Sequence, residues 1–369
     1  MNDQIESKLG LEGVFPEQTI PLPMRRSGMA EWIPASAQGE QHVLMLDRRC
    51  LPLEETYLCH TRAEDVATAI EDMAIQGAFS ISIAAGYGLA LSATDLVGDD
   101  LSSVEEAAER LIRTRPTGLA IKRMMKACLA AARSAAESSQ PIQAAILDVV
   151  DQGASVLAKQ GYQTGKNACD LLPDGATILT HCFPDRSYVY LLMETARQGK
   201  NINVICSETR PYLQGARLTA LCAQQAGFEA KVVTDGMGGF LMRQGQIDAF
   251  VTAADRVCMD GTVCNKVGTY QYALAANANN VPYYTLRQSG PDKESANEDD
   301  VQVEYRNGDE LVQWAGVRTA PEGVEGLYPA FDITPPELVT KIITDRGVFE
   351  AQQISDYFES PEVISGAVV

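Results

Sequence analysis

Two arginines, a glutamine and a glycine crowd the stretch Glu208-Thr-Arg-Pro-Tyr-Leu-Gln-Gly-Ala-Arg217. The mostly apolar run Ile202 to Cys206 precedes it and reads as a buried strand. Leu213, Leu218, Leu221 and Cys222 follow at spacings that read as a helix. The polar residues therefore occupy a turn from a strand's carboxyl end to a helix's amino end. Open α/β sheets bind ligands at such turns, and backbone N–H groups there favour anions. Taken alone, the stretch reads equally well as a charged loop with a helix cap, but three more polar clusters occur at similar junctions.

Thr180-His181-Cys182 ends another apolar run, and Phe183-Pro-Asp then leads into a helix. A thiol facing a helix amino end is expected to have a lowered pKa and raised reactivity, although a lone cysteine is more often inert packing. His181 reads first as a capped core histidine. Ala253-Ala-Asp255-Arg256 closes a third run, where an aspartate can act as acid or base and apolar surroundings raise its pKa toward that use. The competing reading is a helix cap or an Asp–Arg pair. Cys264-Asn265-Lys266 precedes Val-Gly-Thr-Tyr at a helix start, and suits a phosphate or sugar hydroxyls unless the lysine is simply solvated. Thr114-Arg115-Pro-Thr117 offers one more cation at a helix start, since proline is favoured at the first helical position. Gly77-Ala-Phe-Ser-Ile-Ser-Ile-Ala-Ala-Gly86 has neither dinucleotide nor Walker spacing.

The elements that must hold these residues differ between the two halves. Helical periodicity recurs around Ala63–Met73, Gly77–Leu91, Val104–Ile112, Leu119–Ala136 and Ile142–Leu157, after a short strand at His42–Asp47. Candidate strands at Thr177–Thr180, Ile202–Cys206, Ala230–Thr234, Ala249–Thr252 and Tyr283–Leu286 alternate with helical patterns at βαβ spacing. The expected fold is α/β: a mainly helical amino-terminal domain with a small β segment, residues 1–160, and a Rossmann-like, doubly wound parallel-sheet domain, residues 161–369. The polar, acidic residues 289–310 read as an exposed loop.

Composition narrows the function. A net charge of −19 opposes non-specific binding to nucleic acid or anionic membranes, but a few local arginines can still dominate one small pocket. Nine cysteines without C-x-x-C spacing point to reduced thiols and a cytoplasmic setting. The first 30 residues, with Glu6, Glu12 and Glu17, do not read as a signal peptide. Three histidines without ligand spacing do not by themselves indicate a metal site.

In this order the clusters resemble the methylthioribose-1-phosphate isomerase family. Its wider superfamily includes ribose-1,5-bisphosphate isomerases and regulatory subunits of a translation-initiation exchange factor. The likeness runs through Leu46-Asp-Arg-Arg-Cys-Leu-Pro52, Gly77-Ala, Ala84-Ala-Gly-Tyr-Gly88, Arg115-Pro-Thr, Thr180-His-Cys, Glu208 to Ala220 and Val233-Thr-Asp-Gly-Met237. It continues through Ala254-Asp-Arg256, Asn265-Lys-Val-Gly-Thr-Tyr270 and Pro329-Ala-Phe-Asp-Ile-Thr-Pro335. The resemblance implies a cofactor-free aldose–ketose isomerisation of a pentose 1-phosphate in methionine salvage, by a homodimer whose partner is a small sugar phosphate. It places the catalytic cysteine on Cys182 and the catalytic aspartate on Asp255. Substrate contacts fall on Gln76, Gly77, Ala78, Arg115, Gln214, Asn265 and Lys266, expected to converge on one pocket between the domains.

Three departures stand out. Gln76-Gly-Ala-Phe-Ser-Ile-Ser82 replaces the family's Arg-Gly-Ala-Pro-Ala-Ile-Gly, and the lost arginine removes a bidentate partner for phosphate. Phe183-Pro-Asp-Arg-Ser187 replaces Asn-Ala-Gly and a glycine-rich stretch. Tyr328 replaces the asparagine before Pro-Ala-Phe-Asp. Two readings follow: an isomerase of this type acting on methylthioribose 1-phosphate or a related sugar, or a non-catalytic sensor of sugar phosphates or nucleotides on the same fold.

Overall fold

The computed structural model describes residues 14–364 apart from 38, 95, 97–99, 117 and 363. Thr117 and the first 13 residues of the stretch read against a signal peptide lie outside the described residues. The chain divides between Lys159 and Gln160 into two units.

In the amino-terminal unit, a one-turn helix α1 (Arg26–Met29) leads into an antiparallel meander of β1 (Ala30–Ile33), β2 (His42–Leu46) and β3 (Tyr57–His60). Val43 and Met45 alternate into the core, as the period of a half-buried strand requires. Helices α2 (Ala63–Glu71), α3 (Ala78–Ser92), α4 (Ser102–Arg113), α5 (Leu119–Glu137) and α6 (Ile142–Leu171) follow. Helix α3 is buried continuously from Ser80 to Leu91, so it is the central helix of this unit. Its small residues allow close approach: a Cβ on Gly86 would lie 2.5 Å from a Val150 methyl, and one on Gly88 would lie 2.9 Å from Val66. Helix α4 buries only the stripe Val104, Ala108 and Leu111, at i, i+4 and i+7.

Helix α6 extends to Leu171 rather than ending near Leu157, and the expected division after residue 160 falls inside it. Gly161 and Gly165, inside α6, serve its packing on α7 (Asp185–Arg197). A Cβ on Gly165 would lie 2.5 Å from the Leu191 amide nitrogen, and one on Gly161 would lie 2.8 Å from the Arg186 side chain.

The carboxy-terminal unit is built on a seven-stranded sheet. Its strands are β4 (Thr177–Thr180), β5 (Asn203–Ser207), β6 (Glu229–Val233), β7 (Ala249–Ala253), β10 (Tyr283–Leu286), β16 (Lys341–Ile343) and β17 (Val348–Phe349). Their spatial order is β17-β16-β10-β7-β4-β5-β6. All pairings are parallel except the edge pair β16–β17. The near-continuous apolar runs of β4 and β7 suit strands covered on both faces. Stacked Phe250 and Tyr283, with ring centroids 4.6 Å apart, anchor the core beneath them. From β6 to β16 the order is the 3-2-1-4-5-6 of a doubly wound fold, which reverses between β4 and β7.

A smaller antiparallel sheet, β15 (Phe331–Thr334), β9 (Val263–Lys266) and β8 (Arg256–Val257), stands on these strand ends. A pair of two-residue strands, β11 (Tyr305–Arg306) and β14 (Tyr328–Pro329), adjoins it. The exposed loop expected at residues 289–310 is found in part: Lys293, Glu294 and residues 296–300 are exposed, but Asp292 and Ser295 are buried and Arg306 is nearly so. Asp292 pairs with Arg287 and Arg306 with Glu304, which hydropathy along the sequence does not register. Among the described residues, no helix is long and apolar enough to cross a membrane.

Candidate active site

Ligands of doubly wound sheets bind at the carboxyl ends of the strands that flank the reversal of order. Here those strands are β4 and β7. Thr180-His181-Cys182 leaves the first and Ala254-Asp255 leaves the second, with Thr180 and Val251 in register across the pair.

His181 is fully buried between two fixed partners. Its Nε2 lies 2.8 Å from the Val267 carbonyl, which can only accept, so Nε2 carries the proton. Nδ1 then accepts from the Ser207 hydroxyl at 2.5 Å. Burial pushes the imidazole down to about 4, so it stays neutral. The reading of His181 as a core histidine is the one the geometry supports.

Cys182 has φ +65°. Its N–H donates to Thr209 Oγ1 at 2.9 Å, and its carbonyl accepts from Thr219 Oγ1 at 2.5 Å. Thr209 itself has φ +64°, a strained conformation for a β-branched residue. It is held there because Asp235 accepts the N–H groups of Thr209 and Arg210 at 2.7 and 2.8 Å. Such backbones cost about 1–3 kcal/mol each and tend to cluster at functional sites. A turn of π-helix, Gly215–Thr219, follows Gln214 and opens α8 (Ala220–Gln225); π-turns also favour functional sites. A Cβ on Gly215 would lie 1.8 Å from the Ser207 carbonyl oxygen, so this turn closes only on glycine. Gln214 is buried beside it, and among the described residues its Oε1 has no hydrogen-bond partner.

Asn265 and Lys266 lie on β9 itself, not at a helix start, opposite Asp332 and Phe331 of β15. Lys266 is buried rather than solvated: its Nζ donates to the Ala330 carbonyl at 2.9 Å and stands 4.7 Å from the Phe331 ring centroid. Burial and the neighbouring Arg306 lower its pKa. Asn265 Nδ2 donates to Thr269 Oγ1 at 3.0 Å, at the start of α10 (Thr269–Ala278). Asp332 caps that helix by accepting from the Gly268 and Tyr270 N–H groups at 2.6 and 3.1 Å. Helix α9 (Gly238–Arg243) packs alongside α10.

The electrostatics of this group are coupled. Burial pushes the Cys182 thiol up to about 11, against the pull of Lys266, so the expected lowering of its pKa is reversed. The thiol is half-buried, and the strand end excludes enough water to outweigh two nearby cations. Burial also raises the Asp255 carboxyl, opposed by Lys266, Arg306 and Arg287. Its side chain remains accessible although protein crowds it. A neutral thiol, a carboxyl raised toward protonation and a buried lysine with a weakened hold on its proton are a set that can move protons on a small anionic ligand.

A model of the Initiation factor 2 subunit family matches residues 74–351. A methylthioribose-1-phosphate isomerase of Thermotoga neapolitana is 38% identical over 324 residues, covering 83% of this chain and 92% of that protein. The crystal structure of 5-methylthioribose 1-phosphate isomerase from Pyrococcus horikoshii superposes with a TM-score of 0.75 at 32% identity, over 94% of this chain and 98% of that one. The delta subunit of translation initiation factor eIF-2B from A. fulgidus gives 0.69 at 30% identity, over 87% and 95%. The chain belongs to the methylthioribose-1-phosphate isomerase and initiation factor 2B superfamily.

Of the residues assigned site roles from the sequence, Cys182, Gln214, Asp255, Asn265 and Lys266 lie in the carboxy-terminal unit, and Gln76, Gly77, Ala78 and Arg115 lie in the amino-terminal unit. Arg115 lies between α4 and α5 rather than at a helix start. It donates to the Ile70 carbonyl at 2.7 Å and approaches the Met73 sulfur. Gln76 Nε2 donates to the Met73 carbonyl at 3.2 Å, so both side chains attach to one loop. The Gln76 carbonyl accepts from the fully buried Arg48, which also reaches the carbonyls of Pro23 and Gly28. Gly77 has φ +94° and starts α3, with Ala78 as its first residue. Arg210, prominent in the sequence, stacks on Trp314 at 4.8 Å and donates to the Glu310 and Gln313 carbonyls, which fixes a surface loop.

Arg306 escaped the sequence reading. It pairs with Glu304 at 2.8 Å, and its guanidinium lies 5.6 Å from the Phe331 ring and 6.0 Å from that of Tyr212. Opposite it in the β11–β14 pair is the buried Tyr328.

Proposed function

We propose that this protein is an aldose–ketose isomerase that converts a pentose 1-phosphate, methylthioribose 1-phosphate or a related sugar, to the ketose 1-phosphate. The observation that carries the reading is the placement of Cys182 and Asp255 on the two strand ends flanking the sheet's reversal, with Lys266 beside both.

A sugar phosphorylated at C1 cannot open spontaneously to an aldehyde. The bond from C1 to the ring oxygen must break as that oxygen gains a proton. The hydrogen on C2 then moves to C1, and the C2 hydroxyl loses its proton to become the carbonyl. Asp255, whose carboxyl pKa burial raises, gives the first proton and takes the last, so nothing is consumed. Cys182, held neutral, lies beside the migrating hydrogen without adding charge. Lys266, Asn265 and Gln214 bind sugar or phosphate oxygens, and Gln76, Gly77, Ala78 and Arg115 keep the substrate-binding roles that the family resemblance implies for them. Gln76 in place of an arginine points to a substrate, or a binding strength, unlike that of relatives with the arginine.

The test is conversion of a panel of pentose 1-phosphates to their ketoses, with binding measured in parallel. Conversion of one member is the expected result. Specific binding without conversion would replace the enzyme by a sensor of the same ligands, and no binding would remove both.

A further inference from the structure

We propose that the buried Arg287–Asp292 pair is a positioning device for the turn that carries Asp255. Arg287 follows β10, the neighbour of β7 in the sheet. Its Nη2 donates to both Asp292 oxygens, at 2.9 and 2.8 Å. Its Nη1 reaches the carbonyls of Ala254 and Asp255, both at 3.3 Å, and its Nε donates to the Gly290 carbonyl at 3.1 Å. Asp292 holds the other side of the same turn. Its N–H donates to the Val257 carbonyl at 2.8 Å, and its Oδ2 accepts from the Val257 N–H at 3.4 Å. One ion pair thus grips the backbone at 254, 255 and 257.

Stability alone is a poor reason for such a pair. Both members are at most 5% exposed. Desolvating two charges offsets most of their attraction, and apolar residues of similar volume often serve as well or better. What apolar residues cannot do is hold two carbonyls in fixed directions through a planar fork. Gly290, with φ +72°, closes the 287–292 loop against Tyr357, where a Cβ would lie 2.4 Å from the ring.

The guanidinium also sets charge. The ionisable groups facing Asp255 are Lys266 and Cys264 from β9, Arg306 from β11, Glu304 just before it, Cys182 after β4, and Arg287 after β10. Arg287 is the one that is both charged and bonded to the Asp255 peptide. It favours the ionised carboxyl against the effect of burial.

The role of Asp255 as acid and base rests on the isomerase reading; its placement by Arg287 does not, and the experiment separates the two. The variant Arg287→Met/Asp292→Asn removes both charges and keeps an acceptor for the Val257 N–H. Arg287→Lys keeps the charge and loses the fork. Carbon-13 titration of the aspartate carboxyls, with the Asp255 signal assigned by its loss in Asp255→Asn, needs no substrate. In the double variant the Asp255 midpoint moves to higher pH, because the guanidinium is the nearer of the two charges. In Arg287→Lys the midpoint holds, while kcat falls at least about ten-fold with KM within about two-fold, as misplacement of a reacting group requires. An unchanged midpoint in the double variant, or normal kcat in Arg287→Lys, overturns the proposal. If the parent protein turns over no pentose 1-phosphate, the isomerase reading fails and the midpoint in the double variant alone decides this one.

Discussion

Lys266 and Arg306 stand at one aromatic ring: the Lys266 Nζ is 4.7 Å and the Arg306 guanidinium carbon 5.6 Å from the centroid of Phe331. Two like charges this close repel, and Arg306 lowers the pKa of Lys266. Glu304 offsets part of the repulsion, and an anion placed between the cations would offset more. Arg306→Gln should therefore raise the Lys266 pKa and weaken inorganic phosphate binding about ten-fold or more, since a lost charge-assisted contact costs about 1.5–3 kcal/mol. Calorimetric titration with phosphate at fixed ionic strength measures this. Equal affinity in the variant would mean that the two cations serve only to hold the β9–β15 corner together.

The Cys182 thiol, pushed up to about 11 by burial, should alkylate slowly near neutral pH. Only the thiolate reacts, so its rate with iodoacetamide should climb about ten-fold per pH unit through pH 9. Peptide mass spectrometry resolves Cys182 from the other eight cysteines. A rate that levels off below pH 9 would show an activated thiol and contradict the electrostatics. Cys182→Ser nearly keeps the volume and both backbone hydrogen bonds, so melting should shift by no more than a few degrees while turnover falls sharply.

Asp332 makes the pH dependence of folding testable. Burial raises its carboxyl from 3.8 to about 6, despite the two N–H groups it caps. A group raised on folding contributes stability that is complete below its unfolded value and lost as pH rises through its folded value. Asp332→Asn keeps an acceptor for Gly268 and Tyr270 and cannot ionise. The variant should match the parent at pH 4 and become the more stable of the two by pH 7. The difference between 3.8 and about 6 caps that gain at about 3 kcal/mol. Chemical denaturation at the two pH values checks it, and a variant that is less stable at pH 7 would show that the ionised cap is worth more than its desolvation costs.

Much of this fold was readable because its signals are local. The expected strands at Thr177–Thr180 and Tyr283–Leu286 match the structure residue for residue, since each is an apolar run between turn residues. Cys182 and Asp255 were legible for the same reason: each directly follows such a run, and strand ends in this architecture meet at one edge. What failed depended on distant partners. Helix α6 runs to Leu171 rather than ending near Leu157, and the helix on which its Gly161 and Gly165 pack starts only at Asp185. Arg306 sits in a stretch as polar as any solvated loop, and only its pairing with Glu304 and its rings reveal it as interior. The thiol pKa was misjudged because the helix amino end is visible in sequence and the depth of burial is not.

The last prediction concerns how hydrogen reaches C1. Asp255→Asn keeps the side-chain shape and removes its proton, so turnover should fall by at least about 10²-fold, the usual scale for a positioned acid or base, with melting little changed. The charge state of Cys182 argues against one route. With the thiol raised to about 11, about one molecule in 10⁴ carries a thiolate at pH 7, too few to serve as the base that strips the C2 hydrogen. A direct shift from C2 to C1 needs no such base, only a ring-opened cation at C1 and a site that excludes water. Substrate deuterated at C2 should therefore give a ketose that keeps its deuterium at C1. Turnover of unlabelled substrate in deuterium oxide should incorporate little label there. Complete wash-out of the C2 deuterium would assign the step to an enediol formed by Asp255 or by a thiolate that the substrate itself induces.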